Sequence, residues 1–577
     1  MENIKSWNDI HWSNIEKTVF RLQLRIFKAS KEKEFEKVYK LQDTLVKSYS
    51  AKYLSVRKVT QDNKGKRTPG VDNVVIEKAK DKFDLANRIT LDGKSYPIRR
   101  TYIPKPNGEL RPLGIPTIED RAKQMLVYLA LSPQWEAHFE ENSFGFRPGR
   151  STTDAIQAVW LGLKVEKWIL DADISKCFDK IDHQYLLDKC NTYPKFRKQL
   201  HAWLKAGILD GGKYSFPELG TPQGGIISPL LANIALHGMR ECCDQYINSL
   251  GGHRPNNRQE LTFVRYADDF VIFHKDKETL LNIKEVIEEF LKPIGLTLNS
   301  TKTRLVHSRN HYDGLPPGFN FLGYHVVHHT KWNNMRLAFN KEEVSNKVDF
   351  IRIITPSKEG IKRHKRKLRD TIRQYKGVNQ ERLIQILNPI IRGWAYSKRT
   401  QISSKAFQAL DKYVYDCLWK WARKRHPKMS KIKLKEMYWH EIDGSKWVFA
   451  VKKPNKNKND KPNYIRLQYH KKIKIVRHIK VKKDASPFDG NFIYWAKRTG
   501  TSLVIPENKA RLIRLQKGRC RICGNSFLPD DIIERDHIKP LALGGENRLY
   551  NVQAVHRYCH INKTSKELYL IRQNKRK

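Results

Sequence analysis

Two apolar stretches that end in aspartates constrain this chain more than any other feature. Residues Trp168 to Asp179 read WILDADISKCFD, and Phe263 to Phe273 read FVRYADDFVIF. In the first, the period of two puts Asp171 and Asp173 on one face of a strand that turns into a helix. In the second, β-rich segments flank Ala267-Asp268-Asp269, the pattern of a hairpin with acids at its tip. Asp268 lies 95 residues beyond Asp173, so a fold that uses them together must join distant strand ends. Like charges gathered there repel unless a cation joins them. Hard oxygen ligands from two strands suit Mg²⁺, and two such ions can clamp the attacking 3′-hydroxyl and the leaving pyrophosphate of nucleotidyl transfer. A lone Asp-Asp pair decorates many hairpins, so this reading needs support from the rest of the chain.

Charge supplies the first support. The chain of 577 residues has 110 Lys and Arg against 60 Asp and Glu, a formal charge of +50. A polycation of that size is expected to bind a polyanion spread over several domains, and nucleic acid fits where a small acidic substrate does not. No run of about 18 apolar residues spans a bilayer, and the first residues, MENIKSWNDIHW, lack the apolar centre of a signal peptide. A cytoplasmic protein with no membrane partner is expected. Eight cysteines in this length are too sparse for a secreted disulfide framework.

Periodicity orders the chain. From Trp12 to about Tyr53 apolar residues recur at helical spacing, as in a helical hairpin with a basic outer face. Tyr96 to Pro116 reads as two short basic strands around an Asn107-Gly108 turn. Mixed helices and strands run to about Val327, after which strand signals fade and helical ones dominate to Pro427. Here KRHKRKLR (Lys362 to Arg369), LNPIIRGWAYS (Leu387 to Ser397) and LWKWARKRHP (Leu418 to Pro427) mix cations with aromatics. Taken alone, Trp394, Trp419 and Trp421 are expected to be helix-packing core rather than base-stacking platforms. Ala450 to Lys483 holds 13 Lys/Arg and one acid, Asp460, with apolar residues too scattered for a core of their own, so an extended basic surface or a linker is expected.

With these blocks in view, a resemblance emerges. YADD at Tyr266 to Asp269, with ADISKCFD upstream, is similar to the palm of a reverse transcriptase, and five further blocks agree in order. They are RPLGIP (Arg111 to Pro116), SFGFRPGRS (Ser143 to Ser151), TPQGGIISPLLANI (Thr221 to Ile234), LNSTKT (Leu298 to Thr303) and FLGY (Phe321 to Tyr324). The spellings resemble the proteins encoded within mobile group II introns, which are reverse transcriptases and splicing maturases. The resemblance implies that Asp173, Asp268 and Asp269 hold catalytic Mg²⁺ and that Phe178 is the gate under the incoming sugar. It further implies that Lys105 and Arg111 grip the dNTP triphosphate, that Gln223 lies near the nascent base pair, and that Lys302 lies near the triphosphate. IIRGWAYS resembles the maturase segment, which implies an RNA-binding surface beside the thumb.

The last 70 or so residues carry their own chemistry. Cys520-x-x-Cys523 and His556-x-x-Cys559 are two ligand pairs of the kind that hold structural Zn²⁺. Between them, ERDHIKPLALGGENRLYNVQAVHRYCH resembles the His-Asn-His nuclease motif. By that resemblance His537 is the general base, Asp536 and His560 hold Mg²⁺, and Asn551 orients the loop carrying His537. A bare zinc finger explains Cys520, Cys523, His556 and Cys559 but not Asp536, His537 and His560 at nuclease spacing.

An α+β multidomain chain is therefore expected, with these boundaries: 1–85, a helical extension and the start of the fingers; 86–335, right-hand fingers and palm; 336–430, a helical thumb and maturase domain; 431–505, a basic DNA-binding domain; and 506–577, a small ββα-metal HNH nuclease with its zinc clip. The expected function is group II intron splicing and mobility, with intron RNA, a target DNA duplex and dNTPs as partners, and with a homodimer left open. Retron-type or diversity-generating enzymes would share the palm acids but not the maturase-like middle and the nuclease tail. A splicing chaperone with relic active sites would not need Asp173, Asp268, Asp269 and His537.

Overall fold

Buried β-branched and aromatic residues assemble the sheet that carries the acids. Its strands lie in the order Thr262–Tyr266, Asp269–His274, Trp168–Asp173 and Arg304–His307. The first three pair antiparallel, with Phe263, Val264, Ile169, Leu170 and Phe270 to Phe273 out of water. Helix Lys277–Leu291 covers this sheet, and the Asp276 carboxylate caps its first turn by accepting from the Thr279 amide at 2.7 Å. In the computed structural model, residues 5–104, 108–221, 223–251, 260–330, 349–453, 463–500, 505–529 and 531–574 are described. Two units divide the chain, one of residues 1–155, 168–305 and 481–577, the other of 156–167 and 306–480.

In the first unit the amphipathic N-terminal stretch forms three helices, Trp12–Lys31, Phe35–Lys47 and Tyr49–Arg57, rather than a hairpin. Ser48 makes the extra break: its backbone is extended and its hydroxyl accepts from the Ala51 amide. Buried polar groups fix these helices on helix Ile118–Glu136, where Gln23 donates to the Leu129 carbonyl at 2.8 Å and Gln42 to Gln134 Oε1 at 2.7 Å. The basic strands Ile98–Pro104 and Leu110–Ile115 pair antiparallel, with Arg111 opposite Ile103. Lys105 and Asn107 fall outside the described residues.

The C-terminal residues of this unit pack onto it at two places. Asp154, only 1% exposed, accepts from the Val481 amide at 2.9 Å and from Arg498 at 2.5 Å. Beside it, a Cβ on Gly149 (φ +72°) would lie 2.7 Å from the Trp495 ring, so glycine is required for this approach. At the second place the Arg57 guanidinium lies between the rings of Trp12 and Tyr558, at 4.7 and 4.8 Å, and pairs with Glu16 at 2.5 Å. Asn525 also donates to the Ser13 carbonyl at 3.1 Å. The nuclease-like module is built from strands Ile533–His537 and Val552–His556, paired antiparallel, followed by helix Arg557–Asn574. Leu512, Ile513, Phe527, Val552 and Val555 form its core around Cys520 and Cys559.

The second unit holds a three-stranded sheet, Phe319–Phe321, Tyr324–Thr330 and Phe350–Pro356. Strand character therefore extends beyond Val327, because Phe350–Pro356 pairs with Tyr324–Thr330 along its whole length and finds its stabilisation there rather than in a local turn. Helices Lys358–Gln374, Gln380–Lys398, Ser404–Arg425 and Lys431–Tyr438 follow. Trp421 is buried among them, while Trp394 stacks on His364 at 4.7 Å, in keeping with packing roles.

The basic stretch expected to be extended is in part a sheet. Strands Trp439–Ile442, Ser445–Lys453 and Asn463–Arg466 pair in that order, and Phe449, Ala450 and Leu467 are buried. The apolar residues belong to a core shared with the helices, so no self-contained pattern marks them in the sequence. Among the described residues no helix is long and apolar enough to cross a membrane.

Candidate functional site

Strand register brings the first acidic cluster together. Asp173 ends its strand directly opposite Asp269, and Asp268 occupies the two-residue turn with Ala267, whose φ is +59°. The turn is anchored from below by Arg265, fully buried, which donates to the Ala267 carbonyl at 3.3 Å and pairs with Glu140 at 3.5 Å. Gly145 permits this packing, because a Cβ there would lie 2.3 Å from the Ala267 nitrogen. An arginine inside the apolar run FVRY is the sequence signal for this buried support, one that a solvated charge at a strand edge would equally produce.

Three carboxylates so placed perturb one another. Burial, then the charge of Asp173, raises the pKa of Asp268, against the pull of Lys302 and Arg111. Asp269 keeps a solvent-accessible edge, yet the crowded cleft and its neighbours Asp268 and Asp173 push it up to about 7. One cation already answers this charge: the Lys302 ammonium sits 2.6 Å from Asp173 Oδ2, and that contact raises its pKa. Asp171, on the same face two residues earlier, is pushed up to about 7 by burial against the pull of Arg304. The donors are hard oxygens with an excess of negative charge, which suits a divalent cation such as Mg²⁺.

The other residues expected at this site lie around an adjoining cleft or beside the acids. Phe178, on the short helix Cys177–Lys180, meets Phe146 edge-on at 6.2 Å and lines the cleft together with Arg100, Tyr102, Asp179 and Gln223. The Gln223 carbonyl accepts from the Gly114 amide at 2.6 Å, which ties its loop to the strand that carries Arg111. Arg111 is exposed, and its charge acts on Asp268.

The second cluster is local. Asp536 and His537 end strand Ile533–His537, and the buried Asn551 braces the loop that follows: its Oδ1 accepts from the Lys539 amide at 2.8 Å, and its Nδ2 donates to the carbonyls of Lys539 and Glu546. His537 Nε2 lies 3.2 Å from Asn547 Oδ1. His560, on the following helix, points Nε2 toward Asp536 at 3.6 Å, while its Nδ1 contacts Glu534 at 2.7 Å. Lys563 donates to Asp536 at 2.9 Å and also reaches the His537 carbonyl. Glu534 and Lys563, two residues before Asp536 on its strand and three after His560 on its helix, escape the sequence because a charged residue at such a position reads equally well as a solvated face.

Cys520, Cys523, His556 and Cys559 each bring a ligand atom within 4.8 Å of the others. Hydrogen bonds from Cys523 and Cys559 lower the pKa of the Cys520 thiol and so favour its thiolate, the form that ligates a metal. His556 faces Cys523 with Nδ1, at 3.4 Å, while its Nε2 contacts Asp531 at 3.2 Å. This donor set fits a structural Zn²⁺.

Comparison with known proteins matches four regions in chain order. Residues 7–89 match the N-terminal domain of reverse transcriptase, and 103–326 match reverse transcriptase (RNA-dependent DNA polymerase). Residues 361–439 match the maturase-specific domain of group II introns, and 520–566 match HNH endonuclease. Protein YkfC of Escherichia coli is 33% identical over 49% of this chain and 82% of its own length. Group II intron-encoded protein LtrA of Lactococcus lactis is 32% identical over 46% of this chain and 53% of its own, so the match spans about half of that relative. Maturase-like protein 1 of Euglena gracilis is 25% identical over 57% of this chain and 68% of its own.

Proposed function

Because the chain belongs to the group II intron-encoded proteins, with reverse transcriptase, maturase-specific and HNH endonuclease domains, we propose that it binds its intron RNA, assists splicing, and returns the intron to DNA by target-primed reverse transcription. The observation that carries this reading is the meeting of Asp173, Asp268 and Asp269 at one strand end, in a chain that also bears the maturase and nuclease domains. In this scheme residues 86–335 are the fingers and palm, 336–430 the thumb and maturase surface, 431–505 the DNA-binding region, and 506–577 the nuclease.

Asp173, Asp268 and Asp269 hold Mg²⁺, which when bound supplies charge neutralisation at the attacking and leaving oxygens. Lys105 and Arg111 orient the triphosphate, Arg111 by its forked donors. Lys302, paired with Asp173 at 2.6 Å, lies near the triphosphate. The Phe178 ring excludes a 2′-hydroxyl, and Gln223 lines the nascent pair. In the nuclease, Asp536 and His560 hold the divalent ion, His537 takes the proton from the attacking water, and Asn551 keeps the His537 loop in place. Cys520, Cys523, His556 and Cys559 hold Zn²⁺ as a structural clip, with Asp531 fixing the His556 ring.

The test is primer extension on an RNA template with Mg²⁺. Asp268→Ala should abolish cDNA synthesis and leave binding of the intron RNA intact. Continued synthesis would refute the assignment of the acids.

A further inference from the structure

Trp447 occupies a backbone position that its own residue type disfavours. In the hairpin of Trp439–Ile442 and Ser445–Lys453, the pairs are His440 with Val448 and Ile442 with Ser445, so Lys446 and Trp447 together face the single residue Glu441. This bulge leaves Trp447 at φ +64°. A bulky residue at positive φ is an outlier, and glycine is the residue that takes such a position without strain. Burial does not offset the strain, because the residue remains 42% exposed. Bulges re-aim side chains, and strain kept at an exposed aromatic points to a use outside the fold.

The surroundings indicate what that use is. The Tyr469 hydroxyl donates to the Trp447 carbonyl at 2.9 Å, and Tyr415, which itself packs on Trp439 and through it on Trp419, meets the Trp447 ring edge-on at 6.3 Å. The Lys435 ammonium lies 5.0 Å from its ring. Lys431 and Lys433 share the Lys435 helix, and Lys446 and Lys452 share the Trp447 strand. Of the acids nearby, Asp443 is paired with Arg466 at 2.5 Å, and Glu436 and Glu441 are exposed, so the lysines outnumber the free carboxylates around the ring. An exposed ring among ammonium groups matches an unstacked base flanked by its phosphates.

We propose that Trp447 stacks on an unpaired or unstacked base of bound DNA, with the lysines around it taking the neighbouring phosphates. This rests on the reading that residues 431–505 hold the DNA target. The test uses the full chain at fixed salt and measures binding of a DNA duplex with one unpaired 2-aminopurine and of the fully paired duplex. Trp447→Ala should weaken the first by about tenfold and the second by less than about twofold, with an unchanged salt slope. Trp447→Phe should keep most of the affinity. Trp447→Gly, which suits the backbone, should lose the base-dependent binding as Trp447→Ala does. A variant with Lys433, Lys435 and Lys446 all changed to Ala should weaken both duplexes and flatten the salt slope by up to about three. If the lysines matter and Trp447→Ala affects both duplexes equally or neither, stacking is wrong while the DNA-binding reading survives. If the triple variant leaves DNA affinity unchanged, that reading fails for this surface as well. The same pattern on an RNA hairpin, and not on DNA, overturns the choice of ligand.

Discussion

The polymerase-like and nuclease-like sites resolve the same electrostatic problem on different scaffolds. In each, an aspartate at a strand end is crowded by other titratable groups and is met by a lysine: Lys302 on Asp173 at 2.6 Å and Lys563 on Asp536 at 2.9 Å. The scaffolds differ in reach. The first site joins strands separated by 95 residues and rests on the buried Arg265–Glu140 pair, so it depends on the whole sheet. The second gathers Asp536, His537, Asn551 and His560 within 25 consecutive residues, beside a small core that includes two of the clip cysteines. A site built over long range inherits the stability of its domain. A local one needs a staple.

The sharpest way to break the comparison is to remove one site and watch the other. Asp269→Ala should lower cDNA synthesis by at least about a thousandfold, the scale of losing a metal ligand at developing charge, with second-strand nicking unchanged. His537→Ala should lower nicking by about a hundredfold or more and leave primer extension intact. Loss of both activities from either change would mean that the sites are not independent. Next in size is the staple: Cys520→Ser, or zinc removal by a strong chelator, should abolish amide-exchange protection across Ile533–His537 and Val552–His556 but not across the Trp168–Asp173 sheet. Protection retained in the module would show that its core holds without the clip.

The smallest expected effect concerns pH. Asp269 has its pKa raised in the fold to about 7 from the ordinary carboxylate range near 4. A raised acid favours the fold while protonated, so metal-free stability should fall as pH rises from about 4 to 7. Asp269→Asn should therefore melt above the parent protein at pH 8 without Mg²⁺ and match it near pH 4. With solvent screening at the accessible edge the gain should be only about 1 kcal/mol. An equal shift at both pH values would assign the gain to packing instead.

Much of this was legible in the sequence because period and turn chemistry are local. WILDAD and FVRYADDFVIF specify their strands, and register alone then sets Asp173 against Asp269. The His-Asn-His spacing likewise survives into the braced loop at Asn551. What escaped was non-local. Strand Phe350–Pro356 is stabilised by its partner, the hairpin around Trp447 shares its core with helices, and Arg265 acts through Glu140, 125 residues earlier. None of these has a local pattern that separates it from a loop, a linker or a solvated charge.

The sandwich of Arg57 between Trp12 and Tyr558 bears on how the chain is made. Its second ring is about 500 residues downstream, which at roughly 5–20 residues per second emerges from the ribosome about 25 to 100 seconds after Arg57. Through that interval the N-terminal helices carry a guanidinium stacked on one side only, and Phe20 waits for Phe488 and Phe492. A chain that stops before Tyr558 lacks the second ring of this sandwich, and one that stops before Phe488 also lacks both rings that meet Phe20, so the N-terminal helices lose cover that only the finished protein gives them.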